Sequence, residues 1–126
     1  MNADTLGRVA KCLGEVLAME PSTIKAEHRL IDDLGAESLD LVELMFLLEQ
    51  EFGITLAKKD MSLSAQLGLP EDEIHRNEVL TPRALGLLRT RFPGSRSLLV
   101  DGVTLKHLAA LLTVEEVARA VERKLG

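Results

Sequence analysis

The groups from which catalysis or ligation is usually built are few in this chain: Ser38 at the head of a long apolar run, three histidines (His28, His75, His107), one cysteine (Cys12) and a band of carboxylates. A serine hydrolase would pair Ser38 with one of the histidines and an acid. The stretch Gly35-Ala36-Glu37-Ser38 lacks the Gly-x-Ser-x-Gly elbow, however, and no oxyanion-hole segment is evident. The histidines have no paired spacing with other ligands, which argues against a metal site, and His107 reads as a helix-packing or surface residue. Cys12 has no second cysteine to pair with, so a reducing cytoplasm is permitted, and it falls in an apolar helical stripe, where a small buried side chain is expected.

Charge narrows the classes further. The formal net charge is -5 and the isoelectric point about 5.2, which disfavours a nucleic-acid partner, because phosphate backbones are met by clustered positive charge. Residues 30–57 contain no Lys or Arg, whereas Asp32, Asp33, Glu37, Asp40, Glu43, Glu49 and Glu51 all lie there. A field of one sign steers basic partners, although a run of carboxylates can equally be a solvated face. No window approaches the roughly eighteen apolar residues of a membrane span, and the N-terminus lacks a signal-type apolar stretch, so a cytoplasmic protein is expected.

These groups must be positioned by helices. Only three aromatics (Phe46, Phe52, Phe92) occur among 126 residues, so the core is built from Leu, Val, Ile, Ala and Met, a composition suited to helix-on-helix packing. Leu6, Val9, Ala10, Leu13, Val16 and Leu17 recur at helical spacing and predict a helix over residues 4–19, ended by Pro21 and Ser22. A long loop follows to Glu37, pinned by Ile24, Leu30, Ile31 and Leu34. SLDLVELMFLLEQEF predicts a second helix from Ser38 to Phe52 with Gly53 as its C-cap. One side of it holds Leu41, Leu44, Met45, Leu48 and Phe52, and the other Leu39, Val42, Glu43, Phe46, Glu49 and Gln50. Apolar groups among carboxylates form a docking surface if that side meets solvent, or a second buried face if the helix lies inside a larger bundle.

Further along, DMSLSAQLGLPEDEIHRNEV predicts a short helix and a turn. Thr81 and Pro82 begin another helix, which FPGS at 92–95 closes. SLLVDGVTL has the composition of a strand but no evident partner strand, so it reads as an extended loop leading into residues 105–112. Thr113-Val114-Glu115-Glu116 opens the last helix as a capping box, with Val114, Val117, Ala118, Val121 and Leu125 on one face.

The run Asp33-Leu34-Gly35-Ala36-Glu37-Ser38-Leu39-Asp40, followed by Leu41-Val42-Glu43-Leu44, resembles the Asp-Ser-Leu attachment motif of acyl carrier proteins, and the similarity continues through Glu49-Gln50-Glu51-Phe52-Gly53-Ile54. It is close over residues 30–54, looser over the first helix and moderate over TVEEVARAVERKL. The resemblance implies an all-α, four-helix bundle with one or two extra inserted helices. It also implies a non-enzymatic carrier whose Ser38 receives 4'-phosphopantetheine from coenzyme A through a phosphopantetheinyl transferase. Acyl groups would then ride on the terminal thiol to enzymes of fatty-acid, lipid or polyketide synthesis. It further implies that Glu37, Leu39, Asp40, Val42, Glu43 and Phe46 meet basic and apolar groups on those partners, with the carrier a monomer. The alternative is an unmodified helical interaction or regulatory protein of the same architecture.

Two departures stand out. Glu37 replaces the Asp that most often precedes the serine, keeping the charge. More substantially, Thr113 arrives 59 residues after Ile54, so a single carrier domain (core 1–57 and 104–126) is expected to contain an inserted segment of about 58–103. That segment is basic: residues 76–100 hold five arginines and one acid, Glu78. It is expected to enlarge the acyl-binding interior or to dress the surface for a dedicated partner.

Overall fold

A computed structural model describes residues 3–57, 60, 67, 69–92, 97 and 99–126. Helix α1 (Ala3–Leu17) buries Val9, Ala10, Cys12 and Leu13 and lies against both α2 (Ser38–Phe52) and α6 (Val114–Leu125). It stops short of the expected residue 19 because the chain turns back on itself. The Met19 N–H donates to the Gly14 carbonyl at 3.0 Å, with Ala18 in the left-handed region at φ 56°. A Cβ on Gly14 would lie 2.7 Å from the Met19 oxygen, so this close return requires glycine.

The long loop is pinned as expected, with Ile24 and Leu30 buried and Ile31 and Leu34 half-buried. Its backbone groups are satisfied by the start of α6. Leu30 N–H donates to Leu112 O at 3.0 Å, and Val114 and Glu115 N–H donate to His28 O and Ala26 O, each at 3.0 Å. A tight turn then closes beneath the next helix, Ala36 N–H reaching Leu30 O at 2.9 Å. Helix α2 ends where its sequence says it should. Gly53 adopts φ 65°, the left-handed cap conformation that glycine takes without steric cost, and its N–H bonds Glu49 O at 2.9 Å.

The stretch expected to be an insertion contains α3 (Glu71–Ile74), a hairpin of β1 (His75–Arg76) and β2 (Val79–Leu80), and α4 (Pro82–Arg91). The helical architecture expected from the sequence holds: α1, α2, α5 (Leu105–Ala109) and α6, with α3 and α4 added. The antiparallel ladder, His75 opposite Leu80 and Arg76 opposite Val79, is an addition to it. The expected extended loop at SLLVDGVTL does find a partner, and that partner is the hairpin. Leu80 N–H donates to Val103 O at 3.0 Å, Leu105 N–H to Glu78 O at 2.9 Å, and Val79 bridges Thr104. Two-residue strands are too short to leave an alternating signature, which is why the pairing was illegible.

Threonines start three helices. Thr81, Thr104 and Thr113 Oγ1 accept from the N–H of Ala84, His107 and Glu116 at 3.2, 3.3 and 3.2 Å. On α6, Val114, Val117, Ala118 and Val121 are buried as predicted, but Leu125 is exposed, because it stands in the last turn beyond the packed part of the helix. From this stretch, Leu80, Ala84, Leu85, Leu88 and Leu99 join one apolar cluster with the buried faces of α1, α2 and α6. Residues 61–66, 68 and 93–96, where parts of the predicted short helix and helix stop fall, lie outside the described residues.

Candidate functional site

The fold brings Ser38 to the first position of α2, with Glu37 as N-cap in extended conformation (φ -108°, ψ 171°). Asp40 reaches back, its Oδ2 accepting from the Glu37 N–H at 2.9 Å, so the entry of the helix is held by a side chain one turn on. Ser38 is exposed, and its hydroxyl has no hydrogen-bond partner among the described residues. Ser38 is therefore not spent as a cap. A free primary hydroxyl stands where backbone N–H groups of the first turn and the positive end of the helix dipole favour an anion. The position fits a phosphodiester.

From Ser38 the exposed side of α2 runs on as one surface. Leu39, Val42 and Phe46 are 81%, 63% and 58% exposed, while Leu44, Leu48 and Phe52 on the opposite side are buried. Among the described residues, the two-sided burial that the sequence left open does not occur. Glu37 and Glu43 are exposed beside the apolar residues and Asp40 is half-buried; Glu43 has no partner among the described residues. The six residues expected at a partner surface thus lie along α2 and its N-cap, from Glu37 to Phe46.

The acidic band is less uniform than its sequence. Glu49, expected on the exposed side, turns in and accepts from Leu56 N–H at 2.8 Å, tying down the chain after α2. Glu51 is occupied by α1. Arg8 Nε donates to its Oε2 at 2.9 Å, and a second Arg8 nitrogen donates to its backbone oxygen at 2.7 Å. The Arg8 guanidinium also lies 4.2 Å from the Phe52 ring centroid. These hydrogen bonds, with Lys11 nearby, hold the Glu51 carboxyl below its usual range. Asp33 accepts from Arg29 N–H at 2.7 Å. The free negative field is therefore concentrated near Ser38 and the middle of α2.

Cys12 is buried on α1, as its place in the stripe implied. Burial first, then the Glu51 and Glu15 carboxylates, pushes its thiol up to about 11. The histidines serve turns: Nδ1 of His28 and His75 accepts from the backbone N–H of Lys25 and Glu78 at 3.0 and 3.2 Å, and His107 Nδ1 lies 3.2 Å from Thr104 Oγ1. Among the described residues no three of His, Cys, Asp and Glu group as metal ligands, and no helix is long and apolar enough to cross a membrane.

Residues 7–65 match the family described as the phosphopantetheine attachment site, a span that contains Ser38 and the whole of α2. Over 53 residues, 42% of this chain and 68% of the relative, the sequence is 43% identical to a protein named acyl carrier protein from Bdellovibrio bacteriovorus. Carriers of this kind hold 4'-phosphopantetheine and work with transferases and acyl-modifying enzymes. An exposed hydroxyl at the head of a helix, an apolar surface ringed by carboxylates, and these two matches together place the chain in the acyl carrier protein family.

Proposed function

We propose that Ser38 is the residue that receives 4'-phosphopantetheine from coenzyme A, and that the chain, as a monomeric single domain, presents acyl groups to enzymes of fatty-acid, lipid or polyketide synthesis. The observation that carries this reading is the exposed, unengaged Ser38 hydroxyl at the first position of α2, inside the matched span. When bound, the group supplies a terminal thiol that holds acyl cargo as an activated thioester on a tether, raising its effective concentration at a docked active site. The chain's own residues do the docking. Leu39, Val42 and Phe46 offer an apolar centre, while Glu37, Asp40 and Glu43 orient basic patches of the partner.

The test is the intact mass of the protein after incubation with coenzyme A and a promiscuous phosphopantetheinyl transferase, beside Ser38→Ala. A gain of one phosphopantetheine in the unaltered protein alone is expected. No gain with several transferases would leave an unmodified interaction protein that uses the same surface.

A further inference from the structure

Helix α4 lies beyond the residues matched to the family and contains no acidic residue. Its inner side, Ala84, Leu85 and Leu88, is buried in the core. Its outer side presents Arg83, Gly86, Leu87, Thr90 and Arg91, which recur at intervals of three and four and are all exposed. Leu87, 40% exposed, thus stands between two arginines, each about one helical turn away. Arg83 meets Glu73 at 3.4 Å, an exposed pair of the kind that contributes little and is screened by salt. Past Arg91 the face continues onto α6, where Arg119 and Arg123 line a groove together with Arg91 and Glu122. Arg119 is engaged by Glu115 at 2.8 Å, whereas Arg123 reaches a carbonyl, that of Asp60, at 3.4 Å and keeps its charge.

Gly86 adds a feature of shape. A glycine inside a helix destabilises it relative to alanine, and neither conformation nor packing asks for one here. Its φ lies outside the left-handed region, and a Cβ at this position would meet nothing within 4 Å among the described residues. The glycine leaves a notch in the outer face of α4 beside Leu87, where a bulky group from another molecule can seat.

Charge and shape together indicate the occupant. A basic face with an apolar residue at its centre fits an acidic face with an apolar centre, and α2 presents one, with Leu39, Val42 and Phe46 beside Glu37 and Glu43. Both faces are exposed in the same molecule, so they do not cover each other there. We propose that α4 of one copy docks on α2 of a second copy, with Phe46 seated at Gly86 beside Leu87 and Glu43 set against the α4 arginines. The contact is one helix wide on each side, well short of a standard interface, so the chain is a monomer when dilute and associates only when concentrated. A copy whose α2 is covered in this way is withheld from other partners until it is diluted or displaced. The contact rests on the reading of α2 as a docking surface but not on the attachment to Ser38, so unmodified protein tests it.

The experiment is sedimentation velocity of the full, unmodified chain from micromolar to millimolar concentration, at low and at high salt. The sedimentation coefficient is expected to rise with concentration at low salt and to fall back toward the monomer value as salt screens the contact. Glu43→Lys, and Arg83→Glu combined with Arg91→Glu, all at exposed positions and each checked for helical content by circular dichroism, should weaken self-association at least about tenfold. Mixed one to one, the two variants should associate again as a pair, because the first keeps its α4 face and the second its α2 face. Gly86→Gln, which fills the notch, should weaken association while raising the melting temperature, a combination that a purely structural glycine would not give. Unaltered protein that stays a monomer at every concentration, folded variants that associate undiminished, or a mixture that does not recover, each overturns the assignment. Binding of such a monomer to phosphatidylglycerol vesicles would give the α4 face to a membrane instead. Loading of Ser38, followed by intact mass, is independent of all these outcomes.

Discussion

Ser38 and Cys12 both carry groups that can act as nucleophiles, and their surroundings give them opposite properties. Ser38 is exposed at a helix start, its hydroxyl without a hydrogen-bond partner among the described residues, whereas Cys12 is buried with its thiol pushed up to about 11. At neutral pH the Cys12 thiolate is therefore scarce as well as shielded, and the arm's thiol would have no internal competitor. A chromogenic disulfide reagent should accordingly find no fast-reacting thiol in the unmodified native protein and one in the pantetheinylated form. A rapid thiol in the unmodified protein would contradict the burial of Cys12. Both positions were legible in the sequence, Ser38 through its flanks and Cys12 through its stripe. The partners of Glu49 and Glu51 were not, because Leu56 N–H and Arg8 reach them from other parts of the chain.

Helix α2 shows how one element serves two purposes by its period. Leu44, Leu48 and Phe52 recur every four residues and face the core, while Leu39, Val42 and Phe46 recur at intervals of three and four and face outward. The two sets should separate under mutation. Leu48→Ala, at a fully buried position, should cost about 2–5 kcal/mol of stability. Phe46→Ala should leave stability within about 0.5 kcal/mol and slow acyl transfer to partner enzymes. Denaturant melts together with transfer kinetics check both halves; a large stability loss from Phe46→Ala would mean that its ring packs on the chain rather than on a partner. Periodicity revealed both faces, and burial alone decided which of them meets solvent.

Taken whole, the molecule joins long helices to a patchwork of short elements. Helices α1, α2 and α6, of 15, 15 and 12 residues, pack on one another. By contrast, α3 and the hairpin strands run to only four and two residues, and they pack chiefly among themselves and on α4. Short elements bury few groups each, so this part of the chain should open at lower free energy than the long helices. Native-state hydrogen exchange should therefore release the amides of β1, β2 and α4 before those of α1, α2 and α6, and uniform protection would show instead a single cooperative unit. The same division separates what was readable from what was not. Helix faces, the threonine and glycine caps and the serine with its acidic flank all follow from near neighbours along the chain, whose spacing is preserved whatever the rest does. The pairing of the hairpin with residues 103–105, the hold of Arg89 on Leu99, and the meeting of Asp32 with the segment around Val100 join residues far apart in sequence. Only packing brings such groups together, because the entropy of closing the intervening chain is offset by burial across the whole core rather than by any local signal.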